Sequence, residues 1–222
     1  MKNRVLGQSK VIAIVAGGAL DGSVLSQIRQ AHAVIGVDRG ALWLMRHRIT
    51  PDVAIGDFDS VTQAEKKRIH DASQTYIEYA PEKDATDLEL AIDHAITLKP
   101  KEVVLYGVLG RRFDHAMGAV HMLLRLESHN IYGVIVDNFN KVNIVRRQQT
   151  ILKDPAYPYV SVMPVGLTVT VTLKGFVYDL VHTSLRAGAS LGISNELSGK
   201  SATITVHQGL ALVIQSSDEF VR

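Results

Sequence analysis

Four short aspartate-bearing turns, each at one end of an apolar or amphipathic segment, constrain this chain more than any other feature. The clearest is Ile55-Gly56-Asp57-Phe58-Asp59-Ser60, where the run Val53-Ala54-Ile55 feeds a glycine and then two carboxylates spaced two apart. The others are Val37-Asp38-Arg39-Gly40, Lys83-Asp84-Ala85-Thr86-Asp87 and Gly110-Arg111-Arg112-Phe113-Asp114-His115. The apolar runs at 11–15, 33–37, 53–55, 103–108 and 134–136 are nearly continuous rather than alternating. Such runs suit strands buried on both faces of a parallel sheet. The segment 75–79 is more polar and reads as a strand near an edge.

Helical patterns fall between these runs, at 23–31, 40–48, 62–72, 86–98 and 114–126. In the fourth, Leu88, Ala91, Ile92, Ala95 and Ile96 recur on one face, and Pro100 ends it. Ser60-x-x-Gln63 and Thr86-x-x-Glu89 have the capping-box pattern, which makes Ser60 and Thr86 the expected caps. Strand–helix alternation over residues 1–138 predicts an open, mainly parallel α/β domain. From residue 139 the helical period disappears, and Pro155, Pro158 and Pro164 fall close together. Alternating patterns at 168–173, 202–206 and 210–214, punctuated by glycines, then predict a smaller all-β, sandwich-like domain over 139–222.

Composition narrows the chemistry. There is no cysteine among the 222 residues, which removes disulfides, thiolate catalysis and zinc–sulfur sites, and fits a reducing cytoplasm. A net charge of +2 gives no push toward nucleic acid or an anionic membrane. No apolar run is long enough to span a bilayer as a helix, and Met1 to Lys10 lacks the apolar core of a secretion signal. A soluble, cytoplasmic protein is the expectation.

In open α/β sheets, ligands bind beyond the carboxyl ends of the strands. A parallel arrangement places Asp38, Asp57, Asp59, Asp84, Asp87 and Asp114 along that one edge. So many carboxylates repel unless a cation relieves them, and an oxygen-only donor set suits Mg²⁺, which in turn implies phosphate. Arg111, Arg112 and the Arg39-Gly40 step add donors for phosphate oxygens. Together they describe a nucleoside triphosphate site built without a P-loop. Each turn also has a plainer reading: Asp57 and Asp59 as loop residues, Asp84 and Thr86 as caps, Asp114 as the cap of its helix. Ala16-Gly17-Gly18-Ala19 is glycine-rich but is neither GxGxxG nor a P-loop, and Gly199-Lys200-Ser201 leads into a strand rather than a helix.

Taken in order with Leu191-Gly192-Ile193-Ser194-Asn195-Glu196, these motifs resemble the bacterial thiamine pyrophosphokinase family over nearly the whole length. The resemblance implies transfer of pyrophosphate from ATP to the hydroxyl of thiamine, giving thiamine diphosphate and AMP. It implies an N-terminal domain for ATP and Mg²⁺, a C-terminal domain for thiamine, and a homodimer holding thiamine at the subunit junction. By motif, Asp38, Asp57, Asp59 and Asp87 would surround Mg²⁺, and Asp57, Asp59, Asp84 and Asp87 would be catalytic. Asp59 or Asp87 would accept the hydroxyl proton. Asp38, Arg39, Gly40, Lys83, Thr86, Gly110, Arg112, Asp114 and His115 would bind ATP, and Tyr178, Ser194 and Asn195 would bind thiamine. One departure is Arg111, which stands where the family often has the second glycine of Gly-Gly-Arg; it is either strained there or projects outward. Two rival readings are a Mg²⁺-dependent phosphohydrolase and a non-catalytic nucleotide or thiamine sensor.

Overall fold

A computed structural model describes residues 10–80, 82, 84–110 and 112–219. Backbone contacts divide the chain into two units, residues 1–137 and 138–222. In the first unit the elements alternate: β1 (Val11–Val15), a short 3-10 turn (Gly22–Val24), α1 (Leu25–Gln30), β2 (Ala33–Val37) and α2 (Arg39–Arg46). They continue as β3 (Val53–Gly56), α3 (Gln63–Ala72), β4 (Thr75–Glu78), α4 (Asp87–Thr97), β5 (Glu102–Tyr106), α5 (Phe113–Ser128) and β6 (Tyr132–Val136). The expected strands and helices are all present, with ends that agree to within two residues.

The six strands pair in parallel in the order β6-β5-β1-β2-β3-β4. Register is fixed at the centre by Ile14, which lies beside Ile35 on one side and Leu105 on the other. The chain therefore steps outward from β1 to β4, then returns to place β5 on the other side of β1. Parallel crossovers are right-handed, so this reversal moves the return helix α4 to the opposite face of the sheet from α1–α3. Ala13, Val15, Val34 and Tyr106 pack with Ile28 of α1 and Leu44 of α2, and Ala54 packs with Ala41, Leu42 and Ile69 of α2 and α3. Trp43 lies against the first of these groups, as its place in an amphipathic helix predicts. On its way back, α4 contacts β3, β2, β1 and α5, burying Ala91, Ile92 and Ala95.

Helix starts correct one expectation. The N-cap of α3 is Thr62, not Ser60: the Thr62 hydroxyl accepts the Glu65 N–H at 3.3 Å and the Glu65 carboxylate accepts the Thr62 N–H at 3.0 Å. Ser60 lies two residues too early, in the turn that follows Phe58. Thr86 does cap α4, accepting the Glu89 N–H at 3.2 Å. Asp114 sits in the first turn of α5, whose N-cap is Arg112.

The second unit is all β: β7 (Asn140–Val145), β8 (Gln148–Leu152), β9 (Tyr159–Pro164), β10 (Thr168–Lys174), β11 (Leu180–Arg186), β12 (Asn195–Glu196), β13 (Ser201–Gln208) and β14 (Ala211–Ser216). Within it, antiparallel pairing runs β12-β9-β14-β7 and β11-β10-β13-β8. One core fills the space between, including Val145, Val160, Val162, Val171, Leu173, Ile204 and Val213, which is the expected sandwich.

In the first unit, α2 lies close on β2 because residue 36 has no side chain. A Cβ on Gly36 would come within 2.6 Å of the Ala41 Cα and 2.8 Å of its Cβ. Gly36→Ala is expected to cost about 1–3 kcal/mol by overpacking, read as a lower urea midpoint at unchanged slope. An unchanged midpoint would show that α2 can move away freely.

Candidate active site

Asp38 follows β2, Asp57 follows β3, and Asp87 opens α4, the helix that comes after β4, the strand next to β3. All three positions lie at the carboxyl edge, and the return path of α4 beneath β3 and β2 carries its first turn past the other two. The structure gathers these carboxylates: each of the three, all half-buried, offers an oxygen within 4.8 Å of the others. Asp59 and Asp84 stand outside this group and are exposed.

The group is held by backbone in sparsely used conformations. Asp38 has φ 45° and Phe58 has φ 56°, each a left-handed geometry costing on the order of 1–3 kcal/mol for a non-glycine residue. They support one another. The Phe58 N–H donates to Asp38 Oδ1 at 3.1 Å, and the Asp38 N–H donates to the Ile55 carbonyl at 3.1 Å. Gly56, at φ 152°, is required beneath them, since a Cβ there would overlap Asp38 Oδ1. The Phe58 ring is buried and stacks on Tyr76 of β4, with centroids 4.8 Å apart. The Tyr76 hydroxyl donates to Glu78 at 2.9 Å, and Lys66 holds the other Glu78 oxygen at 2.6 Å. Burial, then the Glu78 contact, raises the Tyr76 hydroxyl above its ordinary range and keeps it a donor. Asp57 Oδ1 accepts the Asp59 N–H at 3.1 Å, closing the turn.

Phe58 and Tyr76 are the residues that sequence reasoning missed. An aromatic residue between two aspartates was the available signal, but period and propensity do not report a left-handed φ.

Electrostatics follow from the crowding. Burial, then the Asp87 charge, push the Asp38 carboxyl up to about 7, against the lowering effect of the Phe58 N–H; Asp57 adds to the rise. A hydrogen bond between Asp38 and Asp87 also favours the proton. Three oxygen donors, one of them retaining a proton near neutrality, are a donor set that a hard divalent cation would complete.

The remaining expected residues of the first unit that are described lie in turns and helix starts at the same edge. Arg39 is the exposed first residue of α2, and Gly40 is buried behind it. Arg112 and Asp114 form an exposed 2.6 Å ion pair at the start of α5, which holds the Asp114 carboxyl below its ordinary range. Thr86, Gly110 and His115 are exposed, and Lys83 and Arg111 lie outside the described residues. At the β1–β5 switch point, Gly18 of the glycine-rich stretch donates to the Gly107 carbonyl at 2.7 Å.

In the second unit, Tyr178 is 71 % exposed on the turn between β10 and β11. Asn195 is buried and bonded to the backbone of that turn. Its Nδ2 donates to the Tyr178 carbonyl at 2.8 Å, and its Oδ1 accepts the Tyr178 and Glu196 N–H groups at 3.1 and 2.9 Å. Ser194 is exposed with φ 55°, and its N–H donates to Ser161 Oγ at 3.0 Å.

Comparison with known proteins gives two family matches. The family model described as "Thiamin pyrophosphokinase, catalytic domain" matches residues 24–135, and "Thiamin pyrophosphokinase, vitamin B1 binding domain" matches residues 146–211. A thiamine pyrophosphokinase of Bacillus subtilis is 35 % identical over 213 residues, covering 94 % of this chain and 100 % of the relative. Among solved structures, thiamine pyrophosphokinase from Bacillus subtilis superposes with a TM-score of 0.88 at 34 % identity, covering 95 % of this chain and 100 % of that one. The Geobacillus thermodenitrificans thiamin pyrophosphokinase gives 0.85 at 34 % identity, covering 96 % of this chain and 100 % of that one.

The raised Asp38 carboxyl has a consequence for the metal-free protein. Between about pH 4 and 7 the unfolded chain releases a proton that the folded state retains, so this group's stabilisation is full below about pH 4 and is lost as pH rises through about 7. The slope is at most about 1.4 kcal/mol per pH unit. Urea unfolding in chelator should therefore show the stability difference, Asp38→Asn minus wild type, growing from about pH 4 to 7. A pH-independent difference would mean that Asp38 titrates normally.

Proposed function

The chain belongs to the thiamin pyrophosphokinase family, and from that footing we propose that Asp38, Asp57 and Asp87 form the centre at which it transfers pyrophosphate from ATP to the hydroxyl of thiamine, giving thiamine diphosphate and AMP. The observation that carries this reading is the convergence of three carboxylates on the carboxyl edge of a parallel sheet. Their oxygen-only chemistry fits Mg²⁺ better than a softer metal. When bound there, Mg²⁺ would neutralise polyphosphate charge and offset the repulsion among the three carboxylates.

The chain's own residues supply position and charge. Arg39 and Arg112 are exposed at that edge and available to phosphate oxygens, with Gly40, Lys83, Thr86, Gly110, Asp114 and His115 completing the ATP contacts. The Arg112–Asp114 pair is largely solvated, so little holds the guanidinium back from a phosphate. The thiamine hydroxyl attacks the β-phosphorus in line as AMP leaves, and a carboxylate takes the hydroxyl proton late in that step. Asp59 suits this role better than Asp87, which is engaged with Asp38. Asp84 flanks the same turn and adds negative charge beside a cationic substrate ring.

In the second unit, Tyr178 offers an exposed ring to thiamine, beside Ser194. Asn195 contributes by fixing the Tyr178 backbone rather than by touching the substrate. Val177, Tyr178, Val181, Leu191 and Ile193 are exposed in this unit, which supports a homodimer that buries them around thiamine at the subunit junction. No helix is long and apolar enough to cross a membrane among the described residues, and under this proposal the enzyme is placed in the cytoplasm. Neither the phosphohydrolase nor the sensor gains support from the family matches.

Asp57→Asn is expected to reduce formation of AMP and thiamine diphosphate, separated by chromatography, by on the order of 100-fold or more. Its thermal stability without metal should be unchanged or slightly higher, because one repelling charge is gone. Near-wild-type turnover would remove Asp57 from the centre. Tyr178→Ala should raise the KM for thiamine about tenfold through lost aromatic contact, while the KM for ATP stays within about twofold. Equal effects on both substrates would place Tyr178 elsewhere.

A further inference from the structure

Arg125 lies in the last turn of α5, at the opposite end of that helix from the Gly110–His115 motif and outside all the motifs above. Its guanidinium makes three hydrogen bonds to α4: Nε and Nη2 hold both carboxylate oxygens of Asp93 at 2.6 and 2.7 Å, and Nη1 reaches Glu89 at 3.0 Å. This two-pronged grip on Asp93, with a third bond to its neighbour one turn earlier, has the planar fork geometry that lysine cannot reproduce. The other described ion pairs join one cation to one carboxylate, or share a carboxylate with a neighbouring histidine. All three groups are partly withdrawn from solvent.

The position of the clasp gives it a use. Glu89 is two residues beyond Asp87, and its N–H is the one capped by Thr86. The first turn of α4 is thus tied twice at Glu89, once through its backbone and once through its side chain. Without the clasp, Glu89 and Asp93 would be two like charges at i and i+4 on one helix face. Their repulsion would loosen the first turns of α4, and that of Asp38 and Asp57 on Asp87 would push the loosened start away from the sheet edge.

We propose that Arg125 is a positioning residue of the active site, which holds the first turn of α4 so that Asp87 completes the carboxylate group. This rests on the reading that Asp38, Asp57 and Asp87 take a divalent cation. Arg125 itself touches neither substrate nor metal.

Mn²⁺ alone, a hard oxygen-seeking stand-in for Mg²⁺, tests this when titrated into the full chain without ATP. Binding is followed by loss of the free-ion electron paramagnetic resonance signal, at a temperature where circular dichroism shows each variant folded. Arg125→Ala is expected to weaken Mn²⁺ binding about tenfold, the low end for loss of an outer-shell partner. Arg125→Lys should recover part of that loss, and the KM for thiamine should stay within about twofold in both. If Arg125→Ala does not fold, Glu89→Gln and Arg125→Lys replace it, each expected to weaken binding severalfold. A merely stabilising role would lower the melting temperature and leave Mn²⁺ affinity of the folded protein unchanged, which would overturn the proposal. Asp57→Asn serves as the reference. If it binds Mn²⁺ as wild type does, the carboxylate reading itself fails; if it loses binding while the Arg125 and Glu89 variants keep it, only the role of Arg125 fails.

Discussion

Three carboxylates that repel one another must be held at one point, and much of the first unit is shaped by that requirement. At an effective dielectric near 20, unit charges about 4 Å apart repel by about 4 kcal/mol, a sizeable fraction of a domain's net stability. Part of this is relieved by the proton that Asp38 keeps. The rest is opposed by geometry. The Phe58 N–H points at Asp38, Gly56 leaves room for that carboxylate, and the Phe58 ring is anchored under Tyr76. The left-handed backbone at Asp38 and Phe58 persists because these contacts over-determine it.

Topology does what local contacts alone could not. A chain that stepped in one direction throughout would place α4 on the same face as α3, alongside the next strand outward. The reversal after β4 instead carries α4 back beneath β3 and β2, so residues roughly thirty to fifty positions apart meet at one edge. The Asp57 turn is thus held from the sheet's outer strand through Tyr76, while Asp87 is held from α5 on the other side. An aspartate at a strand end is common; here a crossover reversal brings three of them together.

Much of this was legible in the residues. Continuous apolar runs specified buried parallel strands, and one-face spacing at Leu88, Ala91, Ile92 and Ala95 specified α4. Together they put Asp38, Asp57 and Asp87 on one edge. What stayed hidden depended on contacts between distant residues. Ser60 and Thr62 both satisfy a capping pattern, and only the path of the turn after Phe58 selects Thr62. β7 was unread because Lys141 and Asn143 interrupt its apolar pattern; Asn143 is buried yet bonded to Gln149 of β8 at 3.0 Å. β11 buries only Leu185, so an edge strand leaves almost no hydrophobic trace. The motif containing Asn195 pointed to a substrate pocket, but not to an amide spent on the Tyr178 backbone.

The outer strand β4 carries a consequence for assembly. It is the free edge of the parallel sheet, and such an edge displays unpaired backbone groups that can recruit a strand from another molecule. Here the strand is only four residues long, Thr75 and Glu78 are exposed along it, and Glu78 is clamped by Lys66 of α3. A neighbouring chain adding to this edge would have to displace that charged pair and disturb the Tyr76 ring that stacks on Phe58. The clamp that steadies the Asp57 turn thereby also acts as a guard against strand addition at this edge.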